Sequence, residues 1–206
     1  MLKLWGRANS SNVKKVTWLC EEMGLPYERI DAGLAFGVVN TPEYRKLNPN
    51  GLVPTIDDDG FILWESNAIV RYLAAKHAAG TLWPADPKVR ADADRWMDWC
   101  ATTLAPGFSP VFLGLVRTPP EQRNLQAIED GKKKTVEVLA RLDAALAGHD
   151  FVVGDRFSVA DIAFGGVSYL IDKVPFDRPK LAHYDAWYAR ISSRPAFRKV
   201  VALPLA

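Results

Sequence analysis

Two adjacent serines, Ser10 and Ser11, stand where a short apolar run ends and a helical pattern begins. A serine hydroxyl at a helix N-terminus accepts a hydrogen bond from a free backbone N–H, and capping is the ordinary role of such a residue. The first turn of this helix, however, contains no aspartate or glutamate and is followed by Lys14 and Lys15. Because the helix dipole makes this end positive, an uncompensated N-terminus is suited to bind an external anion, including a thiolate. Both roles are open for the serines.

The same stretch contains Asn9-Ser10-Ser11, which matches the Asn-x-Ser acceptor for N-glycosylation. The chain start lacks the apolar run of about seven or more residues that a signal peptide requires. No segment approaches the roughly 18 uninterrupted apolar residues of a membrane span. We therefore expect a cytoplasmic protein without membrane contact, in which the glycosylation motif is accidental.

Two dipeptides further along the chain have an ordinary and a functional interpretation. Val53-Pro54 follows the turn Asn-Pro-Asn-Gly, and its proline is either a plain turn residue or the second residue of a cis peptide bond. A cis bond would turn the N–H and C=O of Val53 towards an extended ligand. Glu65-Ser66 opens a helix with polar atoms at its N-terminus, which is the common pattern of a helix start.

The elements around these residues alternate between strand and helix over the first 80 residues. Periodicity, caps and an Asp-Asp-Gly turn predict strands at 2–5 and 27–31, a hairpin over 53–64, and helices at 13–24, 41–47 and 65–78. This order implies a parallel strand pair with a right-handed crossover, followed by an antiparallel hairpin. The predicted fold is thioredoxin-like, with a mixed four-stranded sheet whose edge brings together two helix N-termini and the Val-Pro turn.

Strand signals nearly vanish after residue 80. Residues 81–87 have the composition of a linker, and residues 88–206 are predicted to form long amphipathic helices. One of these helices begins with Ser158 placed three residues before Asp161, a close variant of a capping box. We predict an α/β plus all-α protein, with a thioredoxin-like domain (1–80) and a helical-bundle domain (88–206).

The composition excludes several classes of partner. The chain has 206 residues, 49% of them hydrophobic, and a formal net charge of +2, which does not favour nucleic-acid binding. The single basic cluster, Lys132-Lys133-Lys134, is interpreted as the solvated face of a helix. The two cysteines, Cys20 and Cys100, are far apart and lie among apolar neighbours, so we predict buried thiols, no disulfide framework and no metal site.

The motif NPNGLVPTIDDDGFILWESNAIVRYLA, together with VGDRFSVADI in the second domain, resembles the cytosolic glutathione transferases over essentially the whole chain. The helix pattern SSNVKKV is similar to the serine-type classes phi, theta and zeta, in which the catalytic serine precedes a small apolar residue by six positions. Counting back from Val16 favours Ser10 as that serine, and Ser11 is the alternative.

The resemblance implies that glutathione is a co-substrate bound in the first domain. By position, Val53 would pair backbone to backbone with the cysteinyl unit, next to Pro54. Glu65 would hold the ammonium of the γ-glutamyl unit, and Ser66 its carboxylate. Ser10 would donate its hydroxyl to the sulfur, with Asn12 close enough to assist.

A hydroxyl donor is sufficient for this chemistry. Lowering a thiol pKa by about two units from about 8.5 requires roughly 2.7 kcal/mol of thiolate stabilisation. A hydrogen bond to a charged group contributes about 1.5–3 kcal/mol, and a helix terminus about 0.3–1 kcal/mol more. The serine would therefore act as a donor and would not itself need to ionise.

The sequence departs from the family pattern at two glutathione-binding positions. Asn40 and Leu52 stand where polar side chains commonly hold the glycyl carboxylate, which puts glutathione affinity in question. The hydrophobic-substrate pocket would lie between the domains. Its candidate residues are Arg7, Phe36, Trp99, Phe108 and Phe112.

The leading hypothesis is a homodimeric detoxification enzyme that adds the glutathione thiolate to electrophilic small molecules. Glutathione-dependent isomerisation or peroxide reduction at the same site is the second hypothesis. A non-enzymatic ligand-binding protein with the same fold is the third, because fold does not imply function.

Overall fold

The computed structural model describes residues 1–205. Its first part holds a four-stranded sheet in the order β2-β1-β3-β4. β1 is parallel to β2 and antiparallel to β3, and β3 and β4 form an antiparallel hairpin. This is the predicted mixed sheet of a thioredoxin-like domain. The strands are β1 Leu2–Trp5, β2 Tyr27–Ile30, β3 Thr55–Asp58 and β4 Phe61–Trp64.

Three helices accompany the sheet: α1 Ser11–Met23, α2 Pro42–Leu47 and α3 Ser66–His77. α2 has the predicted start, because the Thr41 side chain caps the N–H of Tyr44 and Pro42 occupies the first helical position. α1 begins at Ser11, two residues before the predicted start, since the serine pair itself forms the cap and the first residue.

The second part of the chain is helical. Its α-helices are α4 Pro87–Trp99, α5 Ala105–Phe112, α6 Leu125–Ala145, α7 Val159–Lys173, α8 Ala182–Ser192 and α9 Pro195–Val200. Five-residue π-helical segments follow α4 (Cys100–Leu104) and α5 (Leu113–Arg117). The α/β plus all-α class is thus confirmed, whereas the boundaries at residues 80 and 87 remain a prediction.

The run Pro87–Arg117 is long and apolar enough to cross a membrane by length and composition. It has 31 residues, and 22% of its most apolar 18-residue window is buried. A core helix of a soluble protein passes the same test, so this property alone does not assign the run to a bilayer.

Helix α7 is the centre of the core and fixes the position of α1. Its residues 159–171 are all buried. A Cβ at Gly165 would lie 2.2 Å from the Trp18 ring, and one at Gly166 would lie 2.6 Å from the backbone oxygen of Ser11. The two glycines therefore let the first turn of α1 pack directly on α7.

Both cysteines are buried and free, as predicted. Burial raises the pKa of the Cys20 thiol to about 12 and that of Cys100 to about 11. Neither is a reactive thiolate at neutral pH.

Candidate functional site

A cavity of about 600 Å³ lies between the sheet edge and the helical part of the chain. Residues of the β1–α1 loop and of the segments before β3 form one wall, and the end of the α5 run with α7 forms the other. The described lining contains no aspartate or glutamate. It consists of Arg7, Asn9, Ser10, Ser11, Asn12, Gly33, Leu34, Gly37, Val39, Asn40, Gly51, Leu52, Val53, Phe112, Arg117 and Leu170.

The N-terminus of α1 opens on this cavity. Ser10 is the N-cap, in an extended backbone conformation, and its Oγ accepts from the N–H of Val13 at a distance of 3.5 Å. A bond of that length is at the weak end of the range, so the hydroxyl is poorly engaged within the chain. Ser11 is the first helical residue, and its carbonyl is held against Gly166.

The two lysines after the first turn of α1 are both buried, with Lys14 1% and Lys15 6% exposed. The Lys14 ammonium lies 4.6 Å from the centre of the Tyr169 ring, and burial lowers its pKa to about 8. Burial also lowers the pKa of Lys15, an effect that the charge of Glu65 opposes. Cations near the positive end of α1 increase its preference for an anion.

A hydrogen-bond network joins the N-termini of α1 and α3. The Ser66 hydroxyl donates to Asn12 Oδ1 over 3.3 Å, and Lys15 Nζ lies 3.5 Å from Ser66 Oγ. Lys15 also donates to Asn67 Oδ1, and the Asn67 amide donates to the Met97 carbonyl on α4. The contact between Asn12 and Ser66 thus links the N-termini of α1 and α3, which were predicted to lie at the same edge of the sheet.

Glu65 precedes α3 in a strained conformation, with a φ of 74°. Its backbone oxygen accepts the first helical hydrogen bond, from Ile69, but its side chain makes no capping bond. Non-glycine residues with positive φ cost about 1–3 kcal/mol and concentrate at functional sites. Glu65 and Ser66 are not in the cavity wall itself; Ser66 reaches it through Asn12.

The bond between Val53 and Pro54 is cis, which confirms the second of the two interpretations. The carbonyl of Leu52, the residue before Val53, accepts hydrogen bonds from the Tyr44 hydroxyl at 2.7 Å and from the Asn48 amide at 3.0 Å. Within residues 1–205, no hydrogen bond is formed by the N–H or C=O of Val53. The turn is therefore held in place while the Val53 backbone, which lines the cavity, is left available.

Only two of the five residues suggested for the hydrophobic pocket, Arg7 and Phe112, line the cavity. Phe108 is 2% exposed and packs against Phe112 and Phe176, so it has no free face. Trp99 is partly buried and packs against Trp96 and Phe164 at the edge of the helical core.

The last of the five, Phe36, is 52% exposed on a short 3₁₀ turn outside the wall. The sequence could not separate these cases, because aromatic residues at helical spacing are equally typical of a core.

Several residues of the cavity were not found from the sequence. Arg117 and Leu170 bring charge and apolar area from the helical part, and the Arg117 guanidinium stacks 5.1 Å from the Phe112 ring centre. Asn9 Oδ1 is buried without a hydrogen-bond donor. An apolar helix with a terminal arginine gave no signal that would distinguish Arg117 from a surface residue.

Asn40, where the glycyl carboxylate contact was in question, lies in the wall next to a cation. Arg45 on α2 donates to Asn40 Oδ1 at 3.0 Å and to the Pro49 carbonyl at 2.7 Å. A Cβ at Gly51 would come within 2.5 Å of the Arg45 guanidinium. Leu52 is 63% exposed at the same rim.

Within residues 1–205, no group of three or more His, Cys, Asp or Glu side chains is placed to hold a metal ion. The site consists instead of hydrogen-bond donors, two helix N-termini and arginine charge.

Comparison with known proteins identifies a family for both parts of the chain. Residues 1–75 match the family model "Glutathione S-transferase, N-terminal domain", and residues 104–195 match "Glutathione S-transferase, C-terminal domain". The chain is 46% identical to Glutathione S-transferase GstB of Escherichia coli K12, with complete coverage of both chains. It is 33% identical to Glutathione S-transferase 3 of Zea mays, over 99% of this chain and 95% of that one.

Solved structures extend the similarity to the fold. The theta-class glutathione S-transferase of Xanthomonas axonopodis pv. citri, with glutathione bound, matches with a TM-score of 0.96 and 48% identity, over 100% of this chain and 99% of that one. Its apo form matches with a TM-score of 0.87 and 43% identity, over 100% and 98%. Two family models and these relatives cover both parts of the chain, and the protein therefore belongs to the glutathione S-transferase family.

Proposed function

We propose that this transferase binds glutathione along the sheet edge and adds its thiolate to electrophilic small molecules. The observation that carries the proposal is the poorly engaged Ser10 hydroxyl at the uncompensated N-terminus of α1, which opens on a 600 Å³ cavity. A donor at the positive end of a helix, close to buried Lys14 and Lys15, favours a thiolate over a thiol. The nucleophile is thereby available at neutral pH.

The other contacts of glutathione follow from the same edge. The Val53 backbone pairs with the cysteinyl unit, because its N–H and C=O have no partner within residues 1–205. Ser66 at the start of α3 holds the γ-glutamyl carboxylate, and Glu65 faces the ammonium. Asn12 supports Ser66 through their hydrogen bond, and Ser11 is the alternative donor to the sulfur.

Arg45 supplies the charge for the glycyl carboxylate. Its guanidinium is held beside Asn40 and Gly51 at the rim of the cavity. This arrangement provides a cation at the place where Asn40 and Leu52 themselves lack one. The arginine thus compensates for the two departures from the family pattern.

The electrophile binds against the wall from the helical part, where Phe112 and Leu170 supply apolar area. We expect the protein to act in the cytoplasm as a detoxification enzyme and to form a homodimer. The largely unburied apolar run Pro87–Arg117, with Val89 42% and Leu113 45% exposed, supports the dimer, because a second copy would cover it.

The glutathione-dependent isomerase and peroxidase hypotheses use the same thiolate and are separated by a panel of electrophile, hydroperoxide and disulfide substrates. A serine at the start of α1 does not favour thiol–disulfide exchange through the protein, which requires a protein thiolate. The third hypothesis is ligand binding without turnover. Measured conjugation above the uncatalysed rate would exclude it.

Calorimetric titration with glutathione, followed by turnover of a neutral aryl halide, tests the proposal. We expect saturable binding and conjugation. An absence of binding at millimolar glutathione would contradict every glutathione-dependent hypothesis. Titration of Arg45→Gln with glutathione and with γ-glutamylcysteine isolates the glycyl contact, because only glutathione binding should weaken.

A further inference from the structure

The guanidinium of Arg7 is incompletely paired in the cavity wall. Its Nε is buried and has no hydrogen-bond partner within residues 1–205. A buried donor nitrogen without an acceptor is unfavourable, and a ligand that supplies the acceptor removes that cost. The Arg7 side chain is therefore able to bind an anionic group of a ligand.

Arg7 lies at the sulfur end of the site. The backbone N–H of Ser10 donates to the Arg7 carbonyl at 3.2 Å, and Arg7 Nη1 would be 3.2 Å from a Cβ at Gly33. Arg45, beside Asn40, is the cation assigned to the glycyl end of glutathione. Arg7 is therefore placed to meet the second substrate rather than an end of glutathione.

A second arginine lies in the cavity wall that contains Arg7. Arg117 also lines the cavity, and the described lining holds no acidic side chain. Burial lowers the pKa of Arg7, and the charge of Arg117 lowers it further. An anion bound to the Arg7 guanidinium would offset both effects. Phe112 and Leu170 provide an apolar surface in the same cavity.

We infer that the preferred electrophile is amphiphilic and carries a carboxylate, which Arg7 binds while the apolar body packs against Phe112 and Leu170. This inference rests on the proposed function and specifies its substrate class. Arginine suits the role because its planar fork matches a carboxylate in a bidentate geometry. It also offsets the repulsion between the anionic substrate and the thiolate.

The reaction with an aryl chloride is a substitution. The thiolate of glutathione forms the carbon–sulfur bond, the carbon–chlorine bond breaks, and chloride leaves with the bonding electrons. The thiol proton passes to solvent when the thiolate forms. No oxidant or reductant takes part, and the carboxylate is unchanged.

A matched pair of electrophiles, a chloronitrobenzoate and the corresponding chloronitrobenzamide, tests the inference. Each enzymatic kcat/KM is divided by the uncatalysed rate constant with glutathione, which removes the difference in intrinsic reactivity. For the native protein we expect the enhancement for the carboxylate to exceed that for the amide by about tenfold or more, the effect of one charge-assisted pair.

Three variants assign the preference to a residue. Arg7→Met breaks no hydrogen bond within residues 1–205 and should fold; its ratio of carboxylate to amide enhancement should fall by about tenfold. Arg7→Lys should keep part of the preference, since the charge remains and the fork is lost. Arg95→Gln is the matched control: its side chain is 71% exposed on α4, away from the cavity, and its ratio should equal that of the native protein.

Three results would overturn the inference. Equal enhancement of both electrophiles by the native protein removes the preference but leaves the proposed function standing. A proportional loss for both electrophiles in Arg7→Met, with a raised KM for glutathione, assigns Arg7 to glutathione. Conjugation of neither electrophile, despite folded protein, contradicts the proposed function as well.

Discussion

The helices α1 and α7 are both capped by a serine at the N-terminus. They differ in whether an acidic side chain complements the positive end of the helix dipole. At α7, Ser158 Oγ accepts from Ala160, and Asp161 returns the contact by accepting from the Ser158 N–H at 2.9 Å. Asp161 also accepts from Val152 and from Trp187 Nε1. The positive helix end is complemented by an anion of the chain itself.

At α1, no acidic residue occupies the first turn, and the charges next in the chain are those of Lys14 and Lys15. Ser10 makes one long capping bond. The residue type at the cap is the same as in α7, but no acidic side chain in the first turn of α1 complements the helix dipole. The comparison teaches that a cap completed by its own helix is structural, whereas a cap left incomplete next to a cavity is available to a ligand.

Removing the anion of α7 should have the largest effect on stability. Asp161→Ala leaves the N–H groups of Val152, Ser158 and Trp187 without an acceptor in the core, and each buried orphan costs about 1–3 kcal/mol. Because such losses are not additive, we expect the free energy of unfolding to fall by about 3–5 kcal/mol, as measured by urea denaturation. A loss below about 1 kcal/mol would contradict the closed-cap interpretation.

Removing the two cap hydroxyls separates catalysis from stability. Ser10→Ala should lower kcat/KM for a neutral aryl halide by about tenfold or more, because the thiolate loses a charge-assisted hydrogen bond. Ser158→Ala should instead lower the free energy of unfolding by about 1 kcal/mol and leave turnover unchanged. If Ser11→Ala rather than Ser10→Ala shows the kinetic loss, the neighbouring serine is the donor.

Giving α1 an acid of its own should make it resemble α7. Asn12→Asp preserves shape and the acceptor for Ser66, and it adds negative charge to the first turn. We expect the free energy of unfolding to rise by about 0.3–1 kcal/mol and the pKa of bound glutathione to rise, since the new carboxylate repels the thiolate. Thiolate absorbance against pH measures the second effect, and an unchanged thiol pKa would argue against an electrostatic role for this helix end.

Removing the buried cation of α1 should have a small effect on stability that depends on pH. Burial lowers the pKa of Lys14 to about 8, below its value in the unfolded chain. At a pH between the two pKa values the unfolded state therefore binds more protons than the folded state. Lys14→Met should therefore be more stable than the native protein near pH 7, by about 1 kcal/mol after solvent screening. The advantage should shrink as the pH rises towards about 10, in urea titrations at both pH values. A constant difference would mean that Lys14 stays charged.

The sequence was sufficient for features whose causes lie within a few residues. Four such features depend on backbone groups about one turn away. They are the Thr41-Pro42 start of α2, the Asp-Asp-Gly hairpin, the Ser158–Asp161 capping box and the Ser10 cap. The shared edge of Ser10, Val53 and Ser66 followed from strand order alone. These parts of the site could be predicted because local hydrogen bonding and topology fix them.

Side-chain direction and burial could not be predicted in this way. Phe108 and Phe112 stand one helical turn apart, yet the first is closed in the core and the second lines the cavity. Nothing in the local pattern distinguishes them, because the difference depends on Phe176 and on the path of the π-helical segment that follows.

What the sequence by itself determined is therefore the family and the fold class; the backbone positions that meet glutathione are a prediction from it. Only the tertiary structure decided that Lys14 and Lys15 are buried, that Gly165 and Gly166 bring α1 onto α7, and that Arg7 Nε has no hydrogen-bond partner within residues 1–205. The reason is physical. Hydrogen bonds of caps and turns are local, whereas desolvation and charge pairing depend on chain segments far apart in sequence.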